Sequence, residues 1–290
     1  MPEPGSQELV AHVIAPPLAG LDPKARLSRT VELWHRPVFI VFLVCWVINW
    51  VIVLLRLELT GQARWIESLL PVTACATTLL GLGRRLPLQN VLMAGLLIGG
   101  LASVLTAVAA VSGMPIGPIY YTERMGEKVA GVVPWPIPLL WIILIINGRG
   151  VARLIMRPWR RTNYYGYWVI GFTCLLAVVF DLSLEPFAVK VNNYWLWLGK
   201  QSLLRWHTAP WVNFLGWFVS ALGLIAFTMP WLINKHPVKQ PIDYHPLVVW
   251  VLLNAWLLTG NATHSLVSAV VLSVIGNGLA AVYAIRGARW

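Results

Sequence analysis

Long apolar runs follow one another along most of the chain, with short polar connections between them. A helix that crosses a bilayer needs about 20 mostly apolar residues. Eight runs reach or approach that length: Pro37–Leu55, Ile66–Leu82, Leu88–Ser112, Pro136–Ile155, Tyr165–Asp181, Pro210–Ile233, Pro246–Thr259 and Ala262–Ile285. The pattern predicts an all-α polytopic bundle of about eight transmembrane helices in one domain, residues 37–290, after an amino-terminal tail at residues 1–36.

The seventh run is short, and it meets the eighth run at Gly260-Asn261. A small residue next to asparagine is typical of a turn. The two runs could form a tight hairpin at the membrane surface, or they could be a re-entrant pair. The second interpretation leaves seven spans as the alternative count.

The composition excludes a soluble fold. Hydrophobic residues fill 58% of the 290 positions, charged residues only 11%, and the mean hydropathy is +0.70. Soluble domains carry roughly 25% charged residues. Because so few charges cannot cover a surface exposed to water, lipid must surround most of the chain. We expect an integral protein of a bacterial cytoplasmic membrane.

The net charge of +11 comes from basic residues placed between the apolar runs. There they would meet anionic lipid headgroups and set the topology, so we expect no nucleic acid partner. When basic residues at span ends are counted with the adjoining connection, 15 of the 22 Lys and Arg fall on the side of the two termini. The positive-inside rule therefore predicts cytoplasmic termini, and a cytoplasmic tail at residues 1–36.

Two acidic residues, Asp181 and Glu185, stand out near the end of the fifth run, since carboxylates are costly at membrane depth. Their spacing of four places them on one helix face if the helix continues that far, and Pro186 is expected to end it. Such a pair could hold a proton near neutral pH and act as an acid toward carbon. Alternatively, it could be a helix end with its acids in water.

Glu123 is a third acid on the same predicted face, although it could equally be a solvated loop carboxylate beside Arg124 or Lys128. The six histidines show no HxxH or HxxxH spacing, and the three cysteines form no CxxC pair. We therefore predict no metal site. His207, next to the tryptophan-rich loop, is kept as a candidate site residue.

The connections Gly113–Trp135 and Leu182–Ala209 carry motifs that resemble a membrane protein family of carotenoid biosynthesis, which contains carotenoid 1,2-hydratases. Gly113–Gly126 resembles the family segment G-x-P-F-G-x-Y-x-Y-T-D/E-x-x-G, and Gly131–Trp141 resembles its continuation G-V-P-x-x-I-P-L-A-W. The remaining similar segments are Asp181–Pro186, Trp195–Trp197 and Ala209–Trp217. The likeness covers roughly residues 90–230. Ile116, Ile119 and the His207–Ala209 stretch depart from the pattern around the expected pocket.

The resemblance implies a hydro-lyase that adds water across the terminal C-1,2 double bond of an acyclic (ψ) carotenoid end group, with no cofactor. For this reaction Asp181 or Glu185 would supply the acid, with the other carboxylate or His207 orienting water, and Glu123 is a further candidate catalytic residue. The implied substrate-binding residues are Tyr120, Tyr121, Trp141, Trp195, Trp197, Asn213 and Trp217. The carotenoid would occupy a lipid-open groove between helices.

Two further interpretations stay open. The chain could bind a carotenoid or another polyisoprenoid without changing it, as a subunit of a membrane complex. It could also catalyse an isomerisation or a cyclisation by the same protonation chemistry. The sequence does not fix the oligomeric state.

Overall fold

The computed structural model describes residues 23–59, 61–198, 204–233 and 241–290. Within these ranges there are eight long helices, and each is long and apolar enough to cross a membrane. They are α1 Pro23–Leu54, α2 Trp65–Gly83, α3 Leu88–Ser112, α4 Pro136–Ile155, α5 Tyr165–Pro186, α6 Trp211–Leu232, α7 His245–Thr263 and α8 Val267–Ala288. The predicted all-α membrane bundle of eight helices is confirmed. The cytoplasmic position of the termini stays a prediction.

The first helix begins earlier than the hydrophobic pattern indicates. It starts at Pro23 and passes through Pro37, where the span was predicted to begin. A proline inside a transmembrane helix is tolerated because neighbouring groups satisfy the backbone carbonyl that it frees. Part of the predicted tail is therefore continuous with the first span, whereas residues 1–22 lie outside the described residues.

The predicted turn at Gly260-Asn261 is wrong, since both residues lie inside α7. The site of Gly260 packs against the ring of Phe187, where any larger side chain would overlap. Asn261 donates a hydrogen bond from Nδ2 to the backbone oxygen of Ser183 at 2.8 Å. These two residues serve contacts between helices rather than a turn, so α7 is long enough to span and the seven-span alternative is not supported.

Helix α4 occupies the centre of the bundle. It packs against α2, α3, α5, α7 and α8, and most of its residues are buried. In contrast, α1 and α8 bury only about a quarter of their most apolar stretch and expose large aliphatic side chains. Exposed apolar side chains on such helices face lipid, so the bundle has one buried central helix within a lipid-facing ring.

Short antiparallel strand pairs form within and between the connections α3–α4 and α5–α6. The first pair, β1 (Ile119–Tyr121) and β4 (Trp195–Trp197), joins the two connections and places Tyr121 opposite Trp195. The other pairs are local hairpins: β2 (Lys128–Val129) with β3 (Val133–Pro134), and β5 (Arg205–Trp206) with β6 (Ala209–Pro210). The β1–β4 pair fixes both connections over one end of the bundle.

Helix α5 extends beyond the predicted span. The prediction that Pro186 ends the helix is wrong, since the chain passes through Pro186 and continues as a π-helical turn over Phe187–Val191. Asp181 and Glu185 therefore lie one turn apart on a continuous helix, and both side chains are buried.

Gly216 of α6 allows the closest approach of the α3–α4 connection. A Cβ atom at this position would lie 2.6 Å from the Pro115 oxygen and 2.8 Å from the Ile116 Cα.

We expect Gly216→Ala to lower the free energy of unfolding by about 1–3 kcal/mol, because the backbone of the α3–α4 connection has to move. Thermal unfolding in detergent measures the effect. Gly223→Ala is the control on the same helix, since nothing lies within 4 Å of its Cβ position; equal stability of the two variants would contradict the packing argument.

Candidate functional site

Asp181 and Glu185 form a buried acidic pair held by one amide. Their exposed fractions are 0% and 2%, and Asn213 of α6 is fully buried beside them. Asn213 Nδ2 donates to Asp181 Oδ2 at 2.6 Å and lies 3.5 Å from Glu185 Oε1. One side-chain nitrogen therefore contacts both carboxyl groups, so α6 fixes the two acids relative to each other.

Two indole groups of β4 bind the second oxygen of Glu185. Trp197 Nε1 donates to Glu185 Oε2 at 3.0 Å, and Trp195 Nε1 lies 3.4 Å from the same atom. Alternate residues of a strand point to the same side, which explains how one short strand delivers both donors. The W-x-W spacing thus has a direct structural role.

Two buried acceptors of the site lack a hydrogen-bond partner, Asp181 Oδ1 and Asn213 Oδ1, and the hydroxyl group of Ser183 is also unpaired. Buried polar atoms are rarely left without a partner. A proton on the acidic pair and a water molecule are two donors that would fit these acceptors.

A small cavity, which we call the acid cavity, lies beside Glu185. Its volume is about 20 Å³. Roughly 10–15 Å³ is enough for one water molecule, so the acid cavity has room for about one. Its lining combines six segments of the fold: Thr106, Ile116, Ile119, Tyr121, Ile137, Leu140, Trp141, Glu185, Trp195, Asn213 and Trp217.

Aromatic rings form much of the acid cavity wall. Trp141 and Trp217 stack with their ring centroids 4.7 Å apart, and Tyr121 meets Trp195 edge to face at 6.2 Å. Burial raises the pKa of the Tyr121 hydroxyl, and the charges of Glu185 and Asp181 raise it further. Tyr121 is therefore a neutral phenol, and the wall presents electron-rich faces with no competing positive charge.

Most of the predicted site residues meet at this cavity. Glu185, Tyr121, Trp141, Trp195, Asn213 and Trp217 line it, while Asp181 and Trp197 contact its lining residues. Ile116 and Ile119, which depart from the family pattern, also line it. The acidic end of α5 and the tyrosine-bearing α3–α4 connection therefore meet at one cavity.

Tyr120 and Glu123 lie elsewhere. Tyr120 points to the opposite side of β1, is half exposed, and has the Lys128 ammonium 4.7 Å from its ring centroid. Glu123 is exposed at the start of a 3₁₀ turn. Strand alternation explains the first case, because adjacent tyrosines cannot face the same side of a strand.

His207 is also outside the acid cavity. Its Nε2 lies 3.0 Å from Ser268 Oγ, and its Nδ1 lies 3.4 Å from Lys190 Nζ. Partial burial lowers the pKa of His207, and the charge of Lys190 lowers it further. His207 bridges the β5–β6 turn to α8 and does not contact the acidic pair.

Sequence reasoning missed several polar residues of this region. Thr106 of α3 is buried and lines the acid cavity. In the sequence it is one polar residue within an apolar run, which gives no signal of a site. Glu67 of α2 accepts a hydrogen bond from the Tyr194 hydroxyl at 3.3 Å, and Asn192 donates to the same hydroxyl at 2.7 Å. A carboxylate in the second apolar run was the available signal for Glu67.

The space at the carboxyls differs from the predicted lipid-open groove. The acid cavity accommodates a water molecule, whereas a carotenoid end group of several carbon atoms needs far more room. The rings of Trp141 and Trp217 close it on the side of α4 and α6. Within the described ranges, no group of three His, Cys, Asp or Glu side chains is placed to hold a metal ion.

Comparison with known proteins gives two matches. The sequence profile of the carotenoid biosynthesis protein family matches residues 63–283, which include every residue of the acid cavity. The bisanhydrobacterioruberin hydratase of the archaeon Haloarcula japonica is 26% identical over 111 residues, which are 38% of this chain and 34% of that protein. The match thus spans about a third of the relative's length. No solved structure matches the chain.

The Trp197 indole is predicted to stabilise the fold through Glu185. Trp197→Phe keeps a smaller aromatic ring and removes the donor at 3.0 Å, leaving a buried carboxyl oxygen with only the longer bond from Trp195. We expect a loss of about 1–3 kcal/mol in the free energy of unfolding. Thermal unfolding of the purified protein measures it, and Trp168→Phe, at an exposed position of α5, is the control. Equal loss in both variants would contradict the role of this hydrogen bond.

Proposed function

This chain belongs to the carotenoid biosynthesis protein family, and we propose that it is a cofactor-independent hydratase. Its substrate is an acyclic carotenoid, and the reaction adds water across the terminal C-1,2 double bond of the ψ end group. The observation that carries the proposal is the buried acidic pair beside a cavity with room for about one water. The hydratase name of the partial relative agrees in reaction class.

The reaction needs one acid and one water molecule. A carboxylic acid gives its proton to C-2, the double bond's electron pair forms the new C–H bond, and a tertiary cation is left at C-1. The water oxygen then bonds to C-1 and its surplus proton returns to the carboxylate. The product is a tertiary alcohol, and the acidic pair ends with the same number of protons that it had at the start.

Glu185 is the group that we assign as the proton donor. It lines the acid cavity, and both indole bonds go to Oε2, so Oε1 has no bond shorter than 3.5 Å and is free to hold the proton. Asp181 accepts the short 2.6 Å bond from Asn213, which suits a charged carboxylate. Asp181 is then the charged partner with which Glu185 shares one proton, and Asn213 orients both carboxyl groups.

The aromatic wall supports the cationic step. A positive charge near the face of a tryptophan or tyrosine ring is attracted by the ring electrons, by about 2 kcal/mol when water is excluded. Trp141, Trp217 and Trp195 all line the cavity into which C-1 would project. Exclusion of bulk water also limits capture of the cation to the water already held in the site.

The end group must open the acid cavity to bind. Helices α3 and α6 both contribute to its lining and pack against each other, and both expose aliphatic side chains such as Val104 and Leu215 on the outside. A substrate dissolved in the bilayer would therefore approach between these helices. This is where the predicted groove would form on binding.

A carotenoid end group does not fit in the acid cavity as it stands. This favours a second candidate, a membrane protein that binds a carotenoid or polyisoprenoid elsewhere on its surface without hydrating it. In that case the acidic pair is structural, and the pigment is recovered unchanged.

The location in a bacterial cytoplasmic membrane stays a prediction, since the partial relative comes from an archaeon.

Neutral substitution of the acids tests the chemistry. We expect Asp181→Asn and Glu185→Gln to reduce hydrated product at least about 100-fold, because each removes one of the two ionisable groups that share the proton. The measurement is pigment mass after expression in a bacterium that accumulates lycopene. Glu127→Gln, at an exposed loop position, is the control. Wild-type turnover in both acid variants, with normal folding, would reject the mechanism; an absence of hydrated product from the wild-type chain would favour the binding protein.

Filling the acid cavity tests the route. Thr106 is buried and lines it, so Thr106→Phe would occupy the space of the water and the end group. We expect product to fall at least about tenfold, the effect of roughly 1.4 kcal/mol of lost binding. Val104→Phe adds the same ring to the lipid-facing side of α3 and should keep activity. Unchanged product in the Thr106 variant would place the reaction elsewhere.

A further inference from the structure

A second and larger cavity lies on the same end of the bundle, and we call it the basic cavity. Its volume is about 370 Å³. It is formed by the end of α1, the start of α2, the α3–α4 connection, the π-helical turn after α5 and the end of α7. Cavities that bind small molecules measure roughly 300–1,000 Å³, so this one is large enough for a ligand.

Four basic side chains surround the basic cavity: Arg56, Arg64, Arg124 and Lys190. Two acidic residues, Glu58 and Glu67, also line it, which leaves an excess of positive charge. None of the four forms an ion pair within 4.0 Å with another residue that the structure describes.

The basic groups keep most of their donors free. Arg64 Nε lies 3.4 Å from the Leu59 oxygen, and Arg124 Nη1 lies 3.4 Å from the Asn192 oxygen. An arginine side chain has five N–H donors in a planar fork that matches phosphate oxygens. Several such forks around one cavity are the arrangement that recognises a phosphate group.

Part of the basic cavity wall is apolar. Ile52 and Val53 of α1 and Trp256 of α7 line it, beside the polar Asn49, and all four lie on helices long and apolar enough to cross the membrane. A ligand with a phosphate head and an apolar body would therefore contact both parts of the wall. None of the four basic residues lines the acid cavity, so the two sites have separate chemistry.

We propose that the basic cavity is a phosphate-binding site, which takes the phosphate group of a membrane phospholipid or a free phosphate ion. The inference does not depend on the hydratase proposal, since it uses neither the acidic pair nor the carotenoid. A phospholipid held here would fill the space between the ends of α1, α2 and α7 and stabilise the folded chain by linkage.

The test uses the full chain in a non-ionic detergent, with thermal unfolding as the readout. The probes are dioctanoyl phosphatidylglycerol, inorganic phosphate, and dioctanoylglycerol, which has the same chains without phosphate. We expect phosphatidylglycerol to raise the Tm saturably and dioctanoylglycerol to leave it unchanged. A matching rise with inorganic phosphate would assign the site to the free ion.

The paired variants localise the effect. Arg64→Gln with Arg124→Gln should weaken the apparent Kd at least about tenfold, since charge-assisted hydrogen bonds are lost. Arg160→Gln with Arg161→Gln removes the same charge from the exposed α4–α5 connection and should leave the Kd unchanged. If the first pair does not fold, Arg56→Gln with Lys190→Gln replaces it. Three results would overturn the proposal. They are an equal Kd in the cavity variants and the control variants, an equal rise in Tm with dioctanoylglycerol and phosphatidylglycerol, and the absence of a saturable Tm shift with any probe.

Discussion

The structure depends on the burial of two carboxyl groups, Asp181 and Glu185, one turn apart on a membrane helix. An ionised group away from water costs several kcal/mol unless it is hydrogen-bonded or neutralised. The amide of Asn213 and the indoles of Trp195 and Trp197 meet part of this requirement. The β1–β4 pair follows from it, because that pairing brings the loop tryptophans over the end of α5.

In the proposed mechanism, the same constraint supplies the acid within an apolar bundle. The buried acceptors that lack a partner suit a proton and a water molecule, and the adjoining cavity has room for about one water. Aromatic rings complete the wall, so a cation formed there would meet electron-rich faces. The closed cavity implies that substrate binding separates packed side chains. The active arrangement would then exist only when the polyene end excludes lipid and bulk water.

The sequence predicts the helices well because membrane spans are governed by local hydrophobicity. The bounds of α3 and α4 agree with the predicted runs. Gly260 and Asn261 were misread as a turn, since only tertiary packing distinguishes a glycine that admits Phe187 from a glycine that ends a helix. The acidic pair was found through its cost in the membrane. The prediction that Tyr120, Glu123 and His207 belong to the site of the acidic pair is wrong. The path of each connection is set by tertiary contacts, and the sequence does not show them.

The source of the added atoms tests the central claim most directly. The chain, given an acyclic carotenoid in water enriched in oxygen-18 and deuterium, should yield a tertiary alcohol with one labelled oxygen at C-1 and one non-exchangeable deuterium at C-2, read by mass spectrometry. That result would mean that both the proton and the hydroxyl group come from solvent, as acid-catalysed hydration requires. An oxygen derived from molecular oxygen, or a product without deuterium at C-2, would contradict it.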